Sequence, residues 1–526
     1  MWAIGSKQRP KIRDYANRIP AAARIGGSSI STQIEEAAAS AGGAGAQPSR
    51  RRRITGLALG VAVFALMLAL PPPEGLELAP WRVAAVAMLL AIFWLSEAMP
   101  IPATALLPLA LFPLLGIGSI DAAAAPYANP IVFLFLGGFL IALAIERWNL
   151  HRRIALTVIA HVGAREDLQI AGFMIATAGL SMWVSNTATT VLMLPVALSV
   201  VPRKPDGTID LAERGFAPAL MLSVAYSASI GGVATLIGTP PNTLLAGFML
   251  ETYGVEIGVA QWMLLGLPLS GLMLLICWVL LTRVLFDVGR DELPGAHAAI
   301  RAELEKMGPA SRAEKRVAVI FGATALLWIT RPLLSRGFPA LELSDTTIAI
   351  AMALTLFAIP SGLEKNQCLL NWKYAERLPW GVLLLFGGGL TLAAAVADSG
   401  LAEWIGAELS GLQGWPVLFL VLTVTVLIIF LTELTSNIAT TATFLPVVAA
   451  LAVSLGQNPL LLAIPAVLAA SCAFMLPVAT PPNAIVFGSG YITIPQMVRA
   501  GIWLNIIGVG VIVGTVYLLV NAVFAF

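Results

Sequence analysis

Apolar residues recur in runs of about twenty from Ile54 to the end of the chain, divided by short polar or proline-bearing segments. A bilayer core about 30 Å thick takes roughly 20 apolar residues as helix. The pattern therefore predicts single spans near 54–70, 81–99, 101–118, 130–146, 260–284, 317–335, 346–360, 381–397 and 502–524. Three apolar stretches, 171–202, 216–250 and 413–490, are too long for one helix each and carry polar, proline or asparagine interruptions. We read 171–202 as a re-entrant helical hairpin and 216–250 as a broken spanning helix. The third stretch then divides into a second hairpin, 413–452, and a second broken helix, 460–490. The expected fold class is an all-α polytopic membrane protein with about 11 transmembrane helices and two re-entrant hairpins.

Composition agrees. Of 526 residues 58% are hydrophobic and only 11% charged, less than half the roughly 25% of soluble domains. A soluble enzyme, a nucleic-acid binder and a secreted disulfide scaffold are excluded. The net charge of +2 implies no polyanionic partner, but the distribution of charge orients the chain. Cytoplasmic loops collect Lys and Arg. With eleven crossings and a cytoplasmic N-terminus, 28 of the 31 basic residues fall inside, leaving Arg82, Arg331 and Arg336 outside. The C-terminus is then extracytoplasmic, and a plasma (inner) membrane location is expected. Residues 1–53, rich in Ala, Gly, Ser and Arg and ending in Arg50-Arg51-Arg52-Arg53, read as a flexible basic cytoplasmic tail. Cys277, Cys368 and Cys472 are far apart, without CxxC or Cys/His spacing, which supports neither a disulfide framework nor a zinc site.

The chain also contains an internal repeat. Ser185-Asn186-Thr187-Ala188-Thr189-Thr190 recurs as Ser436-Asn437-Ile438-Ala439-Thr440-Thr441 at an offset of 251. Gly238-Thr239-Pro240-Pro241-Asn242 recurs as Ala479-Thr480-Pro481-Pro482-Asn483 at an offset of 241, and Gly137-Gly138 matches Gly387-Gly388. The repeats cover about 130–250 and 381–490. Five crossings separate the helix at 130–146 from its twin at 381–397, so the repeats run in opposite directions. Inverted repeats with interrupted helices at matching positions mark a secondary transporter with its site near the midplane.

Asparagine at a hairpin tip and Pro-Pro in mid-helix free backbone groups that must line a cavity or bind something. Helix N-termini so freed suit an anion. Carbonyls with Ser, Thr and Asn oxygens suit a hard cation. Each repeat offers both, so the expected site is one anion flanked by two small cations. No Lys or Arg occurs in 181–200, 223–245, 432–446 or 471–490. A buried dianion there lacks fixed countercharge, which is costly, and co-bound cations are the remedy. Glu433, beside the second motif, is the one acid available for proton coupling, but the aligned residue in the first repeat is Met182. We therefore assign Glu433 a structural or tuning role. Glu97, Glu146 and Asp398 sit at predicted helix ends, and His151, His161 and His297 in loops. Gly488-Ser489-Gly490 has no His or acid partner and reads as small-residue packing. No HExxH or P-loop is present, so neither an intramembrane protease nor an ATP-driven pump is supported.

The paired Ser-Asn-Thr-type motifs, each followed by Gly/Ala-Thr-Pro-Pro-Asn, resemble those of the divalent anion/Na⁺ symporter family. So do Leu95-Ser96-Glu97-Ala98-Met99-Pro100, Phe135-Leu136-Gly137-Gly138-Phe139 and Met475-Leu476-Pro477-Val478. The similarity runs from about Ile54 to Phe526. It implies a homodimeric elevator carrier in one membrane domain, 54–526, with scaffold helices in 54–118, part of 260–360, and 502–524. By resemblance, one Na⁺ is held by Ser185, Asn186 and carbonyls near Ser181 and Gly238, and a second by Ser436, Asn437 and carbonyls near Thr432 and Ala479. Substrate meets Ser185, Asn186, Thr187, Thr239 and Pro240 on one side and Ser436, Asn437, Ile438, Thr480 and Pro481 on the other. Ile438 replaces the hydroxyl of Thr187 and leaves an apolar wall on the second side. The expected function is Na⁺-coupled symport of C4-dicarboxylates, with at least two Na⁺ and no organic cofactor, and no enzyme activity. The alternatives are a Na⁺-independent dicarboxylate exchanger and a citrate- or sulfate-selective carrier.

Overall fold

The computed structural model describes residues 24–25, 28–29, 50–201, 215–293, 295–363, 367–408 and 414–524. Most of the expected tail and the charged loop 203–214 lie outside them. Among the described residues β structure is limited to a two-residue ladder, Arg24–Ile25 with Ser28–Ser29, and two isolated bridges. The rest is helix and connections. Nine helical segments among the described residues are long and apolar enough to cross a membrane. Their burial sorts them into layers. Of the apolar window of Phe216–Val233, 89% is buried, against 11% of that of Arg50–Ala69. The first is rich in Ala, Ser and Gly, which let neighbouring backbones approach from every side. The second presents Leu59, Val61 and Leu66 outward, as a lipid-facing helix does.

The interrupted stretches resolve where the sequence placed them. Glu166–Ser181 and Asn186–Val200 form one helix–turn–helix, and Val417–Thr432 and Asn437–Ser454 the other. Phe216–Val233 and Pro240–Tyr253 are the halves of the first broken helix; Leu460–Ala470 and Pro481–Phe487 are those of the second. Asp167 anchors the first hairpin. Its carboxylate pairs with Arg283 at 2.5 Å and Arg165 at 2.8 Å, and its carbonyl accepts Trp278 Nε1.

Two expectations are corrected. The stretch 101–118 is not one helix but two short ones, Ile101–Thr104 and Leu107–Leu114. Pro102, Pro108 and Pro113 deprive it of backbone donors. The Ala105 carbonyl at the interruption accepts the Tyr127 hydroxyl instead, and Gly388 packs on it so closely that a Cβ there would stand 2.2 Å from the oxygen. The three histidines are on helices rather than in loops: His151 and His161 on Leu150–His161, and His297 on Ala296–Met307. These short amphipathic helices are tied together by Arg152 and Glu303 at 2.6 Å, and a search for long apolar runs passes over them. His151 is buried with Nδ1 3.2 Å from the Ile145 carbonyl. Burial pushes its imidazole down to about 4, so the ring is neutral at neutral pH. Glu97, Glu146 and Asp398 do lie at helix ends.

Candidate cation and anion site at the helix breaks

In the first repeat Ser185 is the N-cap of Asn186–Val200, its backbone extended (φ −57°, ψ 142°) and its hydroxyl accepting the Ala188 N–H at 3.2 Å. Ser181, at the end of the preceding helix, places Oγ 2.5 Å from Asn186 Oδ1 and 2.7 Å from the Ala228 carbonyl oxygen. A hydroxyl carries one proton, so it can serve only one of the two acceptors fully, and Ser181 Oγ and Asn186 Oδ1 keep lone pairs to spare. Their surplus lone pairs make a neutral-oxygen cluster suited to a hard cation. Gly232 lies against Asn186: a Cβ there would stand 2.6 Å from Oδ1. Gly238 lies in turn against Gly232, where its own Cβ would meet the carbonyl oxygen at 2.5 Å. Asn186 and Gly238 thus both lie against one glycine.

The break itself, residues 234–239, is held by side chains. Asn242 Nδ2 donates to the carbonyls of Val233 (3.2 Å) and Thr235 (2.9 Å), and the Thr243 hydroxyl donates to Leu236. These bonds satisfy carbonyls that unwinding frees, as burial in a membrane protein demands. Thr239 is the N-cap of the second half. Pro240 and Pro241 follow at the two positions where a helix has no use for an N–H.

The second repeat rebuilds the cluster with different residues. Thr432 Oγ1 lies 2.9 Å from Asn437 Oδ1 and 2.9 Å from the Ala470 carbonyl. Asn483 Nδ2 donates to Ala473 and Leu476, each at 3.1 Å, and the Ala479 N–H shares the Leu476 carbonyl. Asn242 Oδ1 and Asn483 Oδ1 are both buried without a hydrogen-bond partner among the described residues, which leaves each able to accept from water or bind a cation. Thr190 and Thr441 donate back to the carbonyls of Asn186 and Asn437, both at 2.8 Å. The Ser436 hydroxyl, unlike that of Ser185, makes no cap bond, whereas Thr480 caps Asn483 at 3.3 Å.

The halves interlock crosswise. Asn186–Val200 packs against Pro481–Phe487, and Pro240–Tyr253 against Asn437–Ser454. Tyr226, on the first broken helix, donates to the Phe474 carbonyl in the second break at 2.9 Å. Thr239 and Thr480 are buried, Asn186, Thr187, Pro240, Asn437, Ile438 and Pro481 half-buried, and Ser185 exposed. Sequence reasoning missed Ala228, Ala470 and Gly232. The two alanines act through backbone oxygens, which side-chain identity does not reveal, and the glycine acts through its fit to another helix. Asn242 and Asn483 were legible as repeated residues but not as pins of the breaks.

Residues 51–525 match the family described as the sodium:sulfate symporter transmembrane region. The chain is 43% identical over 477 residues to the sodium-dependent dicarboxylate transporter SdcS of Staphylococcus saprophyticus, covering 90% of this chain and 92% of that protein. It is likewise 43% identical over 480 residues to SdcS of Staphylococcus aureus (strain USA300), with the same shares. Two solved structures share the fold at low identity. The Alcanivorax borkumensis YdaH transporter matches with a TM-score of 0.56 at 13% identity, over 85% of this chain and 99% of that one. Neisseria gonorrhoeae MtrF matches with a TM-score of 0.53 at 14% identity, over 88% and 95%. The chain belongs to the divalent anion/Na⁺ symporter family, a family of multi-pass membrane transporters and not of enzymes.

Proposed function

We propose that this protein is a Na⁺-coupled symporter of C4-dicarboxylates such as succinate, malate and fumarate, working as a homodimeric elevator in the plasma membrane. The reading rests on the duplicated cluster of three oxygens around one hydroxyl proton, at Ser181–Asn186–Ala228 and Thr432–Asn437–Ala470. Each cluster takes one Na⁺, with Ser185 and Gly238 completing the first and Ser436 and Ala479 the second. The substrate lies between them, one carboxylate toward Ser185, Asn186, Thr187, Thr239 and Pro240, the other toward Ser436, Asn437, Thr480 and Pro481. The N-termini of Asn186–Val200, Pro240–Tyr253 and Asn437–Ser454 bring fractional positive charge toward it. The two cations supply the remainder, since the motif segments hold no Lys or Arg. Because binding free energies are linked, the anion raises cation affinity by the same factor by which the cation raises its own. Relatives named as sodium-dependent dicarboxylate transporters support this choice of anion.

Uptake of radiolabelled succinate by proteoliposomes, under an inward Na⁺ or choline gradient and with or without internal succinate, tests the proposal. We expect uptake into empty vesicles that requires Na⁺ and that unlabelled malate and fumarate suppress more than citrate or sulfate. Uptake that requires internal dicarboxylate and ignores Na⁺ would make the protein an exchanger. Stronger suppression by citrate or sulfate would reassign the anion. Ile438→Thr, which restores the missing hydroxyl, is expected to change the order of competing anions while leaving half-saturating Na⁺ near the wild-type value. An unchanged competition profile would remove Ile438 from the pocket.

A further inference from the structure

The two breaks differ at one position of the repeat. Residue 182 aligns with residue 433, and each ties the turn of its hairpin to the break opposite. Met182 does so with its backbone carbonyl, which accepts the Thr235 hydroxyl at 2.5 Å. Glu433 does so with a buried carboxylate. It accepts the amide N–H of Phe474 at 2.7 Å, of Met475 at 2.9 and 3.0 Å and of Leu476 at 3.3 Å. A fifth bond comes from Asn505 Nδ2 at 2.6 Å, on the helix Ile494–Thr515. The second break is also longer, residues 471–480 against 234–239. More amides there lose their helical acceptors, and within a membrane protein each needs another. Successive N–H groups that converge on one point form an anion nest. Here the protein fills the nest with its own carboxylate.

The same peptides carry the other bonds of the second site. The Phe474 N–H that meets Glu433 belongs to the peptide whose carbonyl, on Ala473, accepts Asn483 Nδ2. Leu476 gives its N–H to Glu433 and, through the following peptide, its carbonyl to Asn483 and to Ala479. Thr432, the hydroxyl of the second oxygen cluster, is the residue before Glu433. The first repeat has no Asp or Glu in 168–200 or 215–250, and so no equivalent.

We propose that Glu433 is the positioning residue of the second cation site: by filling the amide nest of the longer break it fixes the backbone that shapes the Thr432–Asn437–Ala479 cage, and it makes the two cation sites unequal. The inference rests on the proposed Na⁺ symport. Glu433 touches neither ion nor substrate in this scheme. It acts through the backbone, as groups that hold metal ligands in place do, where their loss costs about 10- to 100-fold in metal affinity.

The test is the Na⁺ dependence of succinate uptake by Glu433→Gln in proteoliposomes, with the succinate KM measured at saturating Na⁺. The amide side chain keeps the shape but turns an N–H donor toward backbone donors. Half-saturating Na⁺ should rise about tenfold or more, with a lower Hill coefficient, while the KM at saturating Na⁺ changes little. A merely structural loss would lower the maximal rate and leave half-saturating Na⁺ where it was. A Na⁺ curve that superimposes on wild type, or a change confined to the succinate KM, would overturn the proposal. Should Glu433→Gln fail to fold, Asn505→Ala decides by the same two readings; it removes one donor from the carboxylate and should shift half-saturating Na⁺ upward by less. Wild-type protein without Na⁺-dependent uptake would instead defeat the proposed symport.

Discussion

Asn186→Ala and Asn437→Ala should each abolish Na⁺-driven succinate uptake, a loss of at least about 100-fold, in protein that still folds. Each asparagine contributes Oδ1 to a cluster in which one hydroxyl proton serves two acceptors. Remove Oδ1, and the Ser181 or Thr432 proton is given wholly to the Ala228 or Ala470 carbonyl. The cluster is then satisfied within the protein, and its surplus of lone pairs is gone. The same truncation takes away a group proposed to meet the substrate, so cation and anion binding fail together. Little of the fold depends on these side chains. Each receives its hydrogen bond from a hydroxyl that keeps a second partner, and the Thr190 and Thr441 bonds go to backbone carbonyls that alanine retains. Proteoliposome uptake, paired with size-exclusion elution in detergent, is the measurement. Wild-type uptake and Na⁺ dependence in either variant would remove that asparagine from the site.

Gly232→Ala is expected to be nearly as damaging, although it adds a single methyl and removes no polar group. The new Cβ would stand 2.6 Å from Asn186 Oδ1 and 3.0 Å from Nδ2, so the asparagine has to move. Ser181 holds it by a hydrogen bond to Oδ1, and overpacking of this kind costs about 1–3 kcal/mol. A misplacement of about 1 Å in a binding constellation can cost on the order of 100-fold in function. We therefore expect uptake to fall by one to two orders of magnitude, with half-saturating Na⁺ raised. The matched control is Gly179→Ala, whose Cβ would meet nothing within 4 Å; it should transport as wild type. Equal activity of the two variants would show that Asn186 does not need its present position.

Much of the architecture was legible because the membrane limits the choices. A chain with 11% charge and repeated apolar runs has to satisfy its backbone internally, and helices are the way to do so with these segments. The interruptions were legible for the same reason reversed: Asn186, Asn437 and the Pro-Pro pairs stand out where an unbroken helix is the default. Duplication then converted two weak motifs into one strong inference. The stretch 101–118 was misread as continuous although Pro102, Pro108 and Pro113 mark its break; the partners that hold the break, Tyr127 and Gly388, are remote in sequence. The short helices carrying the three histidines were missed because their stripes are too short and too polar to register as spans.

By itself the sequence determined the helical class, the two repeats and the Asn186 and Asn437 motifs, since these are properties of residue type and spacing. Ser181 and Thr432 entered by resemblance and for their carbonyls, and the fold brings in their hydroxyls. Tertiary structure decided which backbone oxygens join them, why Gly232 has no side chain, and that Glu433 faces the amides of Phe474, Met475 and Leu476. Every residue carries the same amide and carbonyl, so composition and spacing cannot single out the one that completes a site. Only the path of the folded chain brings a particular one within hydrogen-bond distance of a particular side chain.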